Sequence, residues 1–300
     1  MPRLAFHTLD VFTDRPLAGN PLAVVHDADA LSANDMQAIA REFNLSETVF
    51  ILKPENPVHN ARVRIFTPTR ELPFAGHPTV GAAALLATLR LGTDTGREAI
   101  VVLEEEVGPI RCGVVIRPGR ATTAEFDVPR LAAEIGQAPT RDRIALALGL
   151  GASDIGHGNH KPTVMSAGVP FTFVPVRDRE ALHRCRPNAG VWDGVFGTHG
   201  AYVYTPLPAG SEAGFRARMF DPSAGIAEDP ATGSAAAAFA GVIARFDARA
   251  DGRHDVAIEQ GVEMGRPSLV RLEVELAVGR LSGARIGGAA VVVSEGTMTV

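Results

Sequence analysis

Three side chains stand where acid–base chemistry could be done. Glu47 lies in Asn44-Leu45-Ser46-Glu47-Thr48-Val49-Phe50, just after one periodic stretch and at the mouth of an apolar one. A carboxylate there is either a partly exposed turn residue or a desolvated acid with a raised pKa, poised to shuttle protons. His77 lies in Gly76-His77-Pro78-Thr79-Val80-Gly81, and Asp229 in Glu228-Asp229-Pro230-Ala231-Thr232-Gly233-Ser234. His77 either titrates near neutrality or serves only as a hydrogen-bonding cap. Asp229 could orient a substrate amine or hydroxyl, or simply cap a helix. Glu42, Glu71 and the run Glu104-Glu105-Glu106 read as solvated surface or turn residues.

The elements that would position these groups can be read from the same text. Proline is favoured at the first helical position, which predicts helices starting at Pro78 and Pro230 with His77 and Asp229 at their N-caps. The bodies that follow, 79–89 and 231–245, are apolar almost all round. A helix without a polar face must be surrounded, here by a curved sheet. Each helix start carries unpaired N–H groups and the positive end of the dipole. Gly76, Gly81, Gly233 and Ser234 keep the first turns small. Two such starts facing one another across a cleft would hold a small carboxylate. The plainer reading is that the glycines let helix pack on sheet and Asp229 only caps.

The two segments are also a repeat. Phe66-Thr67-Pro68 precedes the first and Phe220-Asp221-Pro222 the second, and aligning Pro78 with Pro230 sets His77 opposite Asp229, 152 residues on. A duplicated half-protein is the simplest explanation. Around the helices the text is mostly strand: 4–12, 21–25, 48–52, 62–66, a hairpin of 100–103 and 110–116 about Gly108-Pro109, then 163–167, 171–176, 215–220 and the tail 255–300. Ser32, with Asp35 three residues on, predicts a capped helix whose face is Met36, Ile39, Ala40 and Phe43. A further short helix, Arg141–Leu148, ends at Gly149. Many short strands with few helices predict an α+β fold: two similar domains, pseudo-two-fold related, each a central helix wrapped by a curved, mostly antiparallel sheet. The Gly- and Pro-rich stretch 118–139 predicts the boundary, giving halves of 1–120 and 121–300, with a strand near 288–300 joining the first, and the active-site cleft between them.

Composition removes several alternatives. The chain has 300 residues, 46% hydrophobic and 21% charged, with net charge −5. It can bury a large core, and no basic footprint points to nucleic acid or an anionic membrane. Lys53 and Lys161, the only lysines, are both followed by proline, which excludes a phosphate-binding GxxxxGK[ST] loop. No GxSxG or GxGxxG segment occurs. Two cysteines, Cys112 and Cys185, are too few for a disulfide framework or a cysteine-based zinc site and suit a reducing cytoplasm. His157-Gly158-Asn159-His160 reads as a surface loop rather than a metal site. Residues 1–10 lack a basic start and an apolar core, so no signal peptide is read, and no apolar run approaches the ~18 residues of a membrane span.

Taken together, the motifs resemble those of the PhzF-like phenazine biosynthesis proteins, within the diaminopimelate epimerase-like fold. The matching text is Asp10-Val11-Phe12-Thr13 with Pro16-Leu17-Ala18-Gly19-Asn20-Pro21, Ser46-Glu47-Thr48-Val49-Phe50, Arg64-Ile65-Phe66-Thr67-Pro68, Glu71-Leu72-Pro73-Phe74-Ala75-Gly76-His77-Pro78-Thr79, the Glu228–Ala235 segment, Gln260-Gly261 and Met264-Gly265-Arg266-Pro267-Ser268. The resemblance implies that Glu47 moves a proton between carbons of a dihydro-hydroxyanthranilate-like substrate without metal or coenzyme. It implies that His77, Asp229, Ser46, Gly76, Gly233 and Ser234 line the site, and that the protein is a homodimer. The two-thiol epimerases of this fold place a cysteine at each helix start. Neither Cys112 nor Cys185 is so placed.

The sequence thus leads to a cytoplasmic, cofactor-independent isomerase acting on a small carboxylate, with Glu47 as shuttle and His77 and Asp229 fixing substrate. The rival readings are an epimerase or lyase on the same site and a non-catalytic carboxylate-binding protein.

Overall fold

The computed structural model describes residues 3–94 and 96–300. Met1 and Pro2, which open the stretch read as lacking a leader, lie outside the described residues. Two compact units emerge: the chain up to Asp127 together with Gly287–Val300, and Val128–Ile286. The division falls inside the stretch 118–139.

In chain order the first unit holds β1 (Arg3–Val11), β2 (Asn20–Val25), α1 (Ala33–Phe43), β3 (Glu47–Leu52), β4 (Ala61–Phe66), β5 (Glu71–Leu72), α2 (Gly76–Leu91), β6 (Arg97–Glu105), β7 (Gly108–Ile116) and β8 (Thr122–Asp127). The second holds β9 (Ala133–Gly136), α3 (Arg141–Leu148), β10 (Thr163–Ser166), β11 (Pro170–Pro175), α4 (Arg179–Arg184), α5 (Ala189–Phe196), β12 (Gly200–Pro206), β13 (Phe215–Asp221), β14 (Ile226–Asp229), α6 (Gly233–Phe246), β15 (Gly252–Gln260) and β16 (Ser268–Ala277). The last strand, β17 (Arg280–Thr299), starts in the second unit and ends in the first, where it pairs antiparallel with β1.

Local signals account for most boundaries. Ser32 caps α1 through the Asp35 N–H, while the Asp35 carboxylate accepts from the Ser32 N–H at 3.0 Å, a closed capping box. Met36, Ile39 and Ala40 face inward against Phe50 and Phe66. Gly149 ends α3 in the left-handed conformation. The predicted hairpin forms, but its turn is Glu106-Val107, and Gly108-Pro109 already belong to β7. Pro109 pairs only with Glu104 of β6, because β8 engages β7 from Cys112 onward, so its missing N–H leaves no ladder bond unmade.

Each unit is organised about one apolar helix. Helix α2, buried from Gly76 to Leu85, packs on β1, β2, β6, β7 and β8. Helix α6 packs on β9, β10, β11 and β16. The strand pairing repeats. In the first unit β2 and β3 run parallel, β3–β4 and β4–β5 antiparallel, and β4 and β6 parallel, with α2 between β5 and β6. In the second, β11 and β12 run parallel, β12–β13 and β13–β14 antiparallel, and β13 and β15 parallel, with α6 between β14 and β15. The duplication read from sequence is therefore a duplication of topology. Its register differs from the proline alignment: Gly76 and Gly233 open the two helices, 157 residues apart rather than 152.

Candidate active site

The first cluster is built on β2, β3 and α2. Helix α1 ends at Asn44, which takes the left-handed conformation that asparagine tolerates. The turn through half-buried Ser46 delivers Glu47 as the first residue of β3, opposite Leu22 of the parallel β2. Helix α2 begins one residue before His77, with Ala75 at its N-cap. His77 is thus inside the first turn rather than at the cap. Its Nε2 stands 3.3 Å from Glu47 Oε2, with 4% of the imidazole and 17% of the glutamate side chain exposed.

One proton decides what this pair can do. A hydrogen bond to the Pro21 carbonyl engages the imidazole, and burial drives the histidine pKa down to about 3. A neutral imidazole carries a single N–H. With Nε2 facing Glu47, that proton is on Nδ1 and Nε2 is an acceptor only. His77 does not titrate near neutrality, and the helix dipole around it disfavours a cation too. Across the 3.3 Å gap, the Glu47 acid form can donate to Nε2, whereas its carboxylate form cannot.

The second cluster lies between β14 and α6. Asp229 ends β14 opposite Met219, and α6 starts four residues later with Thr232 at its N-cap. Asp229 is therefore not the cap, and Pro230 lies outside the helix. The Thr232 hydroxyl donates to Asp229 Oδ2 at 2.6 Å rather than capping. Gln260, wholly buried at the end of β15, closes the arrangement. Its amide NH₂ donates to the Asp229 carbonyl at 2.8 Å and the Thr232 hydroxyl at 3.0 Å, and its oxygen accepts from the Thr232 N–H at 3.2 Å. Gly261 follows in a left-handed conformation, where a Cβ would lie 2.6 Å from the Pro230 carbonyl oxygen and 2.4 Å from that of Arg266. Gly233 is buried and Ser234 half-buried in the first turn of α6.

Behind Asp229, Arg218 of β13 grips Glu228 through two bonds of 2.8 Å. Its remaining nitrogen donates to the carbonyls of Leu182 and Cys185 at the end of α4, and its guanidinium lies over Phe220. Sequence reasoning missed Thr232 and Gln260 as supports for Asp229, and Arg218 as the partner of Glu228. Gln260-Gly261 stood out only as family text.

Other expectations need correction. Gly81 does not open the helix start to a ligand: a Cβ there would lie 2.5 Å from Leu22 Cδ2 and 2.8 Å from Val11 Cγ2, so it allows α2 to rest on β1 and β2. Glu105 is buried rather than solvated. His160 is not a surface group; its Nδ1 lies 3.0 Å from the Tyr204 hydroxyl and its Nε2 3.0 Å from Asp247 Oδ1. Cys112 and Cys185 are free and buried, and burial pushes both thiols well up, that of Cys185 to about 12. Neither offers a thiolate.

Known proteins resemble this chain in sequence and fold. The family described as phenazine biosynthesis-like protein, PhzC-PhzF, matches residues 9–296. An uncharacterized isomerase of Mesorhizobium japonicum is 49% identical over 97% of both chains. The trans-2,3-dihydro-3-hydroxyanthranilate isomerase of Pseudomonas chlororaphis is 37% identical over 97% of this chain and 98% of its own. The crystal structure of the Bacillus anthracis phenazine biosynthesis protein of the PhzF family covers all of both chains with a TM-score of 0.89 at 26% identity. A match over nearly the whole length, to relatives that are named isomerases, makes this chain a member of the PhzC-PhzF family of phenazine biosynthesis-like proteins and an isomerase.

Proposed function

We propose that the enzyme moves a proton between carbons of a small carboxylate of the trans-2,3-dihydro-3-hydroxyanthranilate type, by general acid–base catalysis and without a cofactor. The observation that carries this reading is the Glu47–His77 contact, in which the imidazole proton is committed to Pro21 and the glutamate is left as the group that can gain and lose one.

Glu47 as carboxylate takes a proton from a substrate C–H bond. The released electron pair shifts the double bond, and the protonated Glu47 then returns a proton to a different carbon. One C–H bond breaks, one forms, and nothing is oxidised or reduced. In its acid form Glu47 rests on His77 Nε2, which limits the positions its proton can take. Such catalysis supplies on the order of 10²–10⁴-fold, so positioning must supply much of the rest. On the family resemblance His77 and Asp229 fix the substrate, Ser46 and Ser234 line the site, and backbone amides near Gly76 and Gly233 hold the carboxylate. The homodimer and the cytoplasmic setting belong to the same proposal. The free thiols favour a reducing compartment, and among the described residues no helix is long and apolar enough to cross a membrane.

The test is to supply trans-2,3-dihydro-3-hydroxyanthranilate in deuterated water and locate the label. The expected result is deuterium at the carbon that gains hydrogen. Glu47→Gln should abolish this while calorimetric affinity is retained. Full activity in Glu47→Gln would remove it from the role. Label at an inverted centre would indicate an epimerase, loss of a substituent a lyase, and binding without exchange a carrier.

A further inference from the structure

The first turn of α2 rests on a carboxyl group that the proton transfer does not use. Glu105 closes β6 with its side chain inward, following Val101 and Leu103 at the two-residue period of a strand, and is 7% exposed. Its Oε1 lies 2.6 Å from Thr79 Oγ1. The same Thr79 oxygen lies 2.7 Å from the carbonyl of Ala75, the N-cap of α2. Glu105 Oε2 is buried and has no hydrogen-bond partner among the described residues.

A hydroxyl has one proton, and the Ala75 carbonyl can only accept. Thr79 therefore donates to Ala75, the threonine back-bond to the i−4 carbonyl. The 2.6 Å contact to Glu105 must then be made by a proton on Glu105. We infer that Glu105 is held as a neutral carboxylic acid, and that through Thr79 it positions the helix start carrying His77. This role as a positioning residue rests on the reading of His77 given above.

The surroundings agree. Burial raises the Glu105 pKa to about 8, even against a Thr79 hydroxyl donating to the carboxylate, which would lower it. On the facing β7 the titratable neighbour is the Cys112 thiol, itself buried and neutral. In the first turn of α2 the titratable group is His77, also neutral. Next to it on β6, Glu104 turns outward and spends its charge on the Glu55 and Asn56 N–H groups and His59. The positive end of α2 favours an ionised Glu105, but burial outweighs it. Once ionised, Glu105 would draw the Thr79 proton toward itself and weaken the hold on Ala75.

Infrared difference spectra of the full-length protein test the assignment. The wild type should show a protonated-carboxyl band that disappears on titration with a midpoint near 8 and is missing from Glu105→Gln. The ¹⁵N resonances of the His77 ring should shift with the same midpoint in wild type and stay flat in Thr79→Val. Should Glu105→Gln not fold, Thr79→Val must displace the band and Thr79→Ser must leave it in place. A carboxyl titrating in the ordinary acidic range, or His77 resonances indifferent to it, would overturn the inference. Neither readout requires turnover, so a failure of the isomerase reading would leave this result standing on its own.

Discussion

Glu47 and His77 face each other Oε2 to Nε2 at 3.3 Å, and the only imidazole proton is spent on Pro21 at the far side of the ring. The histidine is thus an acceptor toward the glutamate, and in the proposed reaction the glutamate holds the exchangeable proton. Parallel pairing of β2 with β3 puts Pro21 and Glu47 on neighbouring strands, and α2 lays His77 against both.

Acid should destabilise the protein through His77. Its folded pKa of about 3 is depressed below the unfolded value of 6.5, so the unfolded chain binds the proton first. Stability from this group is complete above pH 6.5 and falls as pH drops toward 3. The slope cannot exceed one proton, about 1.4 kcal/mol per pH unit. Urea unfolding between pH 7 and 4 should give a shallower pH dependence for His77→Gln than for wild type. Identical slopes would mean that His77 is protonated in the fold.

Gln260→Leu should cost about 2–4 kcal/mol, because it strands the Asp229 carbonyl and the Thr232 N–H in a dry site. The loss should appear as a lower urea midpoint at unchanged m. Turnover should fall further than substrate affinity, since Asp229 loses its support. Thr232→Ser keeps the hydroxyl and should behave nearly as wild type, and equal damage from both variants would refute the clip.

Gly81→Ala should destabilise by about 1–3 kcal/mol through overpacking against Leu22 and Val11, both fully buried. Adding Leu22→Ala should recover part of that loss, giving a favourable coupling energy in a double-mutant cycle. If Gly81→Ala instead weakens ligand binding with stability intact, the glycine serves the ligand after all.

Arg218→Met should cost about 3–5 kcal/mol, because it leaves the Glu228 carboxylate largely buried without its cation. The double variant Arg218→Met/Glu228→Leu should be markedly more stable than the single one. Thermal or urea unfolding of the three proteins decides the matter. If the double variant proves the weaker, the ion pair stabilises the fold in its own right.

Much of this was legible in the sequence. The Ser32–Asp35 box and the lack of any polar face on α2 and α6 placed three helices, because capping and burial are written locally. The helix starts were misplaced for a definite reason. The first-turn N–H groups lack partners anyway, so proline fits beyond the first position, as Pro78 does, or before the helix, as Pro230 does. Glu105 was hidden by its neighbours: in Glu104-Glu105-Glu106 charge suggested surface, while the alternation from Val101 pointed inward. Glu47, His77 and Asp229 stood out by type and setting. Gln260 did not, since its bonds reach back 28 to 31 residues and no local spacing encodes them.

The repeated pairing has a stereochemical consequence. Strand β12 takes in the second unit the place of β3 in the first, yet it opens with Gly200-Ala201 and has no carboxylate at its start. Ser234, second residue of α6, stands where α2 has His77. The duplication copied the frame without copying the glutamate. An inverting enzyme needs a proton donor and an acceptor on opposite sides of one carbon. With Asp229 engaged by the Thr232 hydroxyl and Glu47 as the single proton shuttle of the proposed reaction, the transfer works from one side, so the hydrogen should leave and arrive on the same face of the substrate: transport along a face, with no centre turned over.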